Sequence, residues 1–255
     1  MATSPVDLPV QFFEGRDGVK LAYREMGEGR PVVLIHGYFS TAKVNWLKYG
    51  HAEKIAARGF RVIMPDLRSH GDSAKPHDDA AYPKDVLVDD GLALIDHLGL
   101  TDYDLGGYSL GGRTTLRMLV RGATPRRAIV AGMGIEGMLD TGGRGDFFRK
   151  VLGNLGAHKS GSLEWMSEQF LKTVGGDPLA LLKILDTSVD TTAAQLAGIA
   201  MPVMVACGAQ DNDNGSAEEL AEALQDGWYV ELPGNHMSAV TKPALGEAIA
   251  DFLAS

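Results

Sequence analysis

One cysteine is all that the 255-residue chain carries. With Cys207 alone, no disulfide can close within the chain. Its place in an apolar run reads as a buried strand residue rather than a reactive thiol. No run approaches the ~18 continuous apolar residues that a membrane-spanning helix needs. Met1 to Val10 has neither a positive charge nor an apolar core, so no signal peptide is expected there. Positive charge is the scarcer sign. Lys and Arg number 24 against 33 Asp and Glu, a formal net charge of -9. That balance argues against a nucleic-acid-binding face and against docking on an anionic membrane. Internal repeats, low-complexity tracts and linker-like stretches are missing too. What remains is a cytoplasmic globular protein, long enough for one well-buried core.

What is present is an alternation of strand and helix patterns. Val10 to Phe13 and Val19 to Arg24 read as strands joined by the turn Arg16-Asp17-Gly18. Pro31 to Ile35 is a run of branched apolar residues suited to a strand buried on both faces. A helix is expected from Val44 to Ala57, a strand from Arg61 to Met64, and a helix from Lys84 to Leu98 closed by Gly99. Asp102 to Leu105 leads into a helix from Ser109 to Val120, and Arg126 to Ala131 is another strand. Such an alternation implies parallel strands with crossover helices. From Gly132 to Gly198 no strand pattern occurs, only helical pieces at 146–155, 162–174 and 178–185. The alternation resumes with strands at Pro202–Cys207 and Trp228–Leu232 and helices at Ser216–Leu224 and Lys242–Leu253.

The chemistry centres on Leu105-Gly106-Gly107-Tyr108-Ser109-Leu110-Gly111-Gly112. Gly-x-Ser-x-Gly between a strand and a helix is the signature of a nucleophile elbow, a sharp turn that lifts the serine above the sheet. Gly107 and Gly111 would leave out side chains that the turn has no room for. A serine is a poor nucleophile alone and needs a base and a group that orients the base. In an open parallel sheet such groups stand at the C-terminal strand ends. The strand ending at Cys207 is followed by Gly208-Ala209-Gln210-Asp211-Asn212-Asp213, and the one ending at Leu232 by Pro233-Gly234-Asn235-His236. Asp211 and Asp213 are both candidate acids.

At this point the chain resembles the α/β-hydrolase superfamily in its serine-hydrolase, esterase-like branch. The motifs follow in that family's order. His36-Gly37 comes after the third strand, Pro65-Asp66 and His70-Gly71 after the fourth, the elbow after the fifth, Gly208-x-x-Asp211 after the seventh and Pro233-Gly234-x-His236 after the eighth. The last loop is one residue shorter than the family's common Pro-Gly-x-Gly-His. The resemblance implies an α/β-hydrolase fold: a mostly parallel eight-stranded sheet flanked by helices, with a helical cap inserted after strand 6. Residues 1–131 and 199–255 would form the core domain and 132–198 the cap. It also implies Ser109 as nucleophile, His236 as general base and Asp211 as the orienting acid. Backbone N–H groups of Tyr38 and Leu110 would form the oxyanion hole. The implied activity is cleavage of small to medium carboxylic esters through an acyl-enzyme, with no cofactor and no metal. The same triad also serves perhydrolases of the haloperoxidase type, C–C bond hydrolases, the menaquinone-pathway synthase, whose elbow has an arginine like Arg113, and slow-turnover ligand receptors. Ser109 argues against epoxide hydrolases and haloalkane dehalogenases, which use an aspartate at the elbow.

Other motifs read as structural. His36 and His70 are expected to brace tight loops, and Asp66, by the resemblance, to hold the loop carrying His70. His51, His77, His97 and His158 show no ligand spacing. Gly132-Met133-Gly134-Ile135-Glu136-Gly137 matches G-x-G-x-x-G, but a dinucleotide site needs a helix opening directly from it and an acid beyond a second strand. Residues 141–145 read instead as loop, and the glycines as a hinge that leaves room near the elbow. Asp211 to Gly215 lacks the later acid of a calcium loop. Most cap residues such as Phe147, Phe148, Trp165 and Phe170 are expected to pack the cap onto the body and some to line a mainly apolar pocket, and the acidic surface to disfavour highly anionic substrates.

Overall fold

Short runs of branched residues form the sheet because each buries both faces. In the strand Arg30–Ile35 (β3), Val33 and Ile35 join one core while Val32 and Leu34 join the other. The strand Ala128–Ala131 (β6) divides in the same way, with Ala128 and Val130 on one face and Ile129 and Ala131 on the other. Side chains alternate across a strand, so helices must cover both faces. The computed structural model describes residues 8–255; most of the stretch weighed as a signal peptide, residues 1–7, lies outside the described residues.

The other strands are β1 (Gln11–Glu14), β2 (Lys20–Met26), β4 (Phe60–Pro65), β5 (Asp104–Tyr108), β7 (Val203–Gly208) and β8 (Gly227–Leu232). They form one eight-stranded sheet in the order β1-β2-β4-β3-β5-β6-β7-β8. Only β2 runs against the rest; it pairs antiparallel with β1 and β4. On one face pack α2 (Val86–His97), α3 (Leu110–Val120) and α9 (Ala217–Glu222), through Leu94, Leu116 and Leu220. On the other pack α1 (His51–Ala56) and α11 (Pro243–Ala254), through Ile55, Leu245 and Ile249. Between β6 and β7 run α4 (Ile135–Leu139), α5 (Gly142–Gly153), α6 (Leu163–Val174), α7 (Pro178–Leu185) and α8 (Ala193–Ala197). A short α10 (His236–Ala239) follows β8. Among the described residues no helix is long and apolar enough to cross a membrane.

Strand order reverses at β3, whose neighbours are β4 and β5. Such a switch point opens a crevice at the C-terminal strand ends. It brings the loop after β3 beside the loop after β5. A Cβ added at Gly37 would stand 3.3 Å from Cβ of Ser109.

Four local expectations need correction. The helix expected over 44–57 is two pieces, a π-helical turn at Lys43–Leu47 and α1. Gly50 sits between them at φ 73°, a left-handed conformation that ends one helix before the next begins. The glycine pair 106–107 lies inside β5 rather than after it. A helix, α4, does open directly from Gly134, though it has only five residues. The stretch read as loop at 142–145 is the first turn of α5, despite three glycines. Carboxylates capture its free N–H groups: Asp190 Oδ1 accepts from Thr141 N–H at 2.9 Å, and Asp140 Oδ1 from Gly142 N–H at 2.9 Å.

Candidate active site

At the end of β5 the chain turns straight into α3, and Ser109 takes the corner at φ 55°, ψ −115°. A non-glycine residue held there costs on the order of 1–3 kcal/mol. The surroundings over-determine it. Ser109 N–H donates to Ala131 O at 2.7 Å, and Ser109 C=O accepts from Arg113 N–H at 3.0 Å. Neither flanking glycine could be larger. A Cβ on Gly107 would lie 2.3 Å from the carbonyl carbon of Gly111, and one on Gly111 would lie 2.1 Å from Ile35 O.

His236 arrives from the far side. Gly234 turns the chain at φ 110°, and Asn235 then caps α10 by accepting Ser238 N–H at 3.0 Å, while Ser238 Oγ accepts Asn235 N–H at 2.9 Å. The reciprocal box starts a helix at His236 and carries the ring to Ser109 although the loop is short. The Tyr108 hydroxyl donates to His236 C=O at 2.6 Å, locking the backbone from beneath. His236 Nδ1 donates to Asp211 Oδ2 at 2.8 Å, so Nε2 is bare and accepts from Ser109 Oγ at 3.0 Å. Both Asp211 and His236 are buried. Burial pushes the Asp211 carboxyl up, but the hydrogen bond and charge of His236 outweigh it and hold the group below the ordinary carboxylate range. Asp213, the rival acid, makes no bond to His236 and binds Arg144 at 2.6 Å. Asp211, Asp213 and His236 present ligand-type atoms within 4.8 Å of one another, but this ion pair and the Asp211–His236 bond already occupy them. Cys207 lies below Asp211; burial, reinforced by that carboxylate, pushes its thiol up to about 12 and keeps it protonated.

The loop after β3 contributes Tyr38. Asn45 Oδ1 accepts Gly37 N–H at 3.1 Å and fixes the turn, and the Tyr38 hydroxyl donates to Leu181 C=O at 2.8 Å. Leu110 is the first residue of α3, where a main-chain N–H has no intrahelical acceptor. Tyr38, Ser109 and Leu110 line one cleft, with about 460 Å³ of empty space that is partly open to solvent. Phe148, Ile184 and Leu185 from the helices between β6 and β7 line it from above, and Arg113 and Arg144 also reach its wall. The lining is mainly apolar, as expected, with Arg113 and Arg144 as its charged residues. Arg113 is half-buried on α3, and its Nε has no hydrogen-bond partner among the described residues.

The remaining residues weighed from sequence have structural partners. His36 Nε2 accepts Leu67 N–H at 3.0 Å, and its Nδ1 faces Gly37 O at 2.8 Å. His70 Nδ1 donates to Arg68 C=O at 2.9 Å; burial and the neighbouring His36 lower its pKa to about 3, so it stays neutral. Asp66 accepts from Arg24, Ala42 N–H and Asp72 N–H, tying three segments together. His51 contacts Val240 C=O, His77 contacts Asp177, and His158 contacts Val151 C=O. His97 packs against Phe13 and Tyr23. The glycines at 132–137 allow close packing: a Cβ on Gly132 would meet the Tyr108 ring at 2.7 Å, and one on Gly134 would meet Gly215 O at 2.1 Å. Asn45 and Tyr108 escaped sequence reasoning because each braces a backbone that only the fold brings near.

A family profile described as alpha/beta hydrolase fold matches residues 30–134, the stretch from β3 through the elbow to just past the end of β6. An AB hydrolase superfamily protein of Bacillus subtilis, YisY, is 33% identical over 110 residues, covering 43% of this chain and 39% of the relative. A non-heme chloroperoxidase of Kitasatospora aureofaciens, CPO-A1, is 36% identical over 116 residues, covering 44% of this chain and 38% of the relative. The matched segments thus span about two fifths of these relatives' lengths. A thermophilic esterase of Thermogutta terrifontis superposes with a TM-score of 0.77 at 21% identity, covering 96% of this chain and 98% of the esterase. That likeness is one of fold. With the sheet order and the elbow in agreement, the chain has the alpha/beta hydrolase fold, and residues 30–134 match the profile of that fold.

Proposed function

We propose that the chain is a serine hydrolase that cleaves small to medium carboxylic esters through an acyl-enzyme. The observation that carries this reading is the continuous relay Asp211–His236–Ser109, with links of 2.8 and 3.0 Å. Ser109 Oγ attacks the ester carbonyl carbon, and its proton passes to His236 Nε2. Asp211 holds the ring tautomer and stabilises the imidazolium. The negative charge on the carbonyl oxygen is met by N–H groups of Tyr38 and Leu110. The carbonyl–alkoxy bond breaks, His236 returns the proton to the leaving alcohol, and Ser109 keeps the acyl group. Water then gives a proton to His236 and attacks the acyl carbon. The carboxylic acid leaves, and Ser109 Oγ regains its proton. Every step uses this chain's own groups and water.

In this reading residues 132–198 act as a cap on a core of 1–131 and 199–255. Support comes from Phe148, Ile184 and Leu185, which line the cleft above Ser109. The partner is a small ester, with neither nucleic acid nor membrane involved, and the setting is cytoplasmic. The test is hydrolysis of p-nitrophenyl acetate and butyrate. Ser109→Ala is expected to lower kcat by about 10⁴-fold or more. Unchanged turnover in that variant would refute the reading.

A further inference from the structure

The chain is acidic overall, yet the charges on the wall of the cleft beside Ser109 are positive. Arg113 and Arg144 both line it. They differ in one respect. The Arg144 guanidinium is already neutralised: it binds Asp213 at 2.6 Å and lies 5.1 Å from the ring centres of Phe147 and Phe148. Arg113 has no such partner. Its guanidinium makes no hydrogen bond or ion pair with any described residue, and its Nε is sealed from solvent. The acid whose charge acts on it, Asp190, is exposed and spends Oδ1 on Thr141 N–H. Burial outweighs that acid and, with Arg144 adding to it, lowers the Arg113 pKa to about 10.

A guanidinium with one nitrogen sealed from solvent and no acid hydrogen-bonded to it is costly to hold beside a second cation. Here the cost falls on a residue that lines the same cleft as Ser109. Arg113 stands four residues after Ser109 on α3, and its N–H binds Ser109 C=O, so it projects from the same helical face one turn away. A guanidinium offers a planar fork that fits a carboxylate with two parallel hydrogen bonds. An ester with a carboxylate a few bonds from its scissile carbonyl can therefore meet Ser109 and Arg113 at once.

Resting on the serine-hydrolase reading above, we infer that Arg113 receives a substrate carboxylate. The preferred substrates are then anionic esters, such as monoesters of short dicarboxylic acids or acyl esters of short hydroxy acids. Water adds across the acyl–oxygen bond, and the carboxylate on Arg113 takes no part in the bond changes. Its binding supplies the missing counter-charge and fixes the carbonyl over Ser109.

The test compares matched pairs that differ only in charge: monoethyl against diethyl succinate, and acetoxyacetate against ethyl acetoxyacetate, followed by acid release. The protein is expected to show kcat/KM at least about tenfold higher for one anionic ester than for its neutral twin. Arg113→Gln should reduce that ratio about tenfold or more, chiefly through KM, and Arg113→Lys should restore part of it as a point charge. Both variants are checked for folding by the rate at which a fluorophosphonate labels Ser109. Preference for both neutral esters, or a ratio unmoved in Arg113→Gln, overturns the inference and leaves the hydrolase reading standing. Failure of Ser109 to label, together with no turnover of any of the four esters, overturns the hydrolase reading and this inference with it.

Discussion

The strand-end floor of the site and the helical stretch above it are built to different tolerances. The floor is backbone packed on backbone. Gly107 touches Gly111, Gly111 touches Ile35, Gly208 touches Gly234, and none has space for a single methyl group. Its polar side chains are buried and bonded, from Asp66 to His236. The helices between β6 and β7 have a small core of their own, Val151, Leu152, Leu171 and Leu181 against Phe39. Many of their ties are exposed ion pairs, such as Lys150–Glu164 and Arg149–Asp186, worth little each. Gly143, Gly145 and Gly153 in α5 would each carry a methyl group into open space. The Asp211–His236–Ser109 relay lies where little can shift, and the helices over the cleft lie where much can change at small cost.

That contrast can be broken most severely at the acid. Asp211→Asn should lower kcat for ester hydrolysis on the order of 10⁴-fold by losing the tautomer that orients His236. Asp213→Asn, two residues on, should change it by less than about threefold. Steady-state kinetics on both variants decide whether the floor's order reaches both carboxylates or only one.

Next comes the elbow. Gly111→Ala sets a Cβ against the Ile35 carbonyl, a backbone atom in a central strand that has nowhere to go. A loss of about 3 kcal/mol in urea unfolding is expected. A loss below about 1 kcal/mol would mean that the floor yields as readily as its roof.

A smaller effect concerns pH. Burial lowers the His70 pKa from 6.5 to about 3, so the folded state holds it neutral while the unfolded chain protonates. The unfolded state therefore binds more protons, and stability falls as pH drops from 6.5 toward 3. His70→Asn can keep the hydrogen bond to Arg68 C=O and removes the titration. The decline of the unfolding free energy with acid, read from urea titrations, should then flatten, by up to ~1.4 kcal/mol per pH unit. An unchanged slope would show that His70 does not set it.

The smallest effect has the opposite sign. Gly143→Ala, in the first turn of α5 with open space around it, should raise stability by about 0.5–1 kcal/mol. The same chemical change thus destabilises the floor and stabilises the roof, and thermal melts of the two variants side by side sharpen the comparison.

The two regions also differ in how far they could be read from sequence. The elbow was legible because Gly107, Ser109 and Gly111 constrain one another within a single turn. The acid and the histidine were legible because strand order delivers strand ends to one edge. Above the sheet, contacts with distant segments override the local pattern. Three glycines at 142–145 argue for loop, but Asp190, far along the chain, accepts the N–H of Thr141 and helps to start a helix there. The helical spacing of Val44, Leu47, His51 and Ile55 continues across Gly50 and hides the break at its left-handed φ. Arg113 was visible as a residue of the elbow motif. Its lack of a partner was not, because that depends on where α5 carries Arg144 and on Asp213, in the loop after β7, pairing with Arg144.

The most direct measurement is the mapping of a fluorophosphonate adduct by peptide mass spectrometry. The account predicts a single adduct on Ser109, absent in Ser109→Ala and slowed in Asp211→Asn. An adduct on another residue, or labelling that persists in Ser109→Ala, would contradict it.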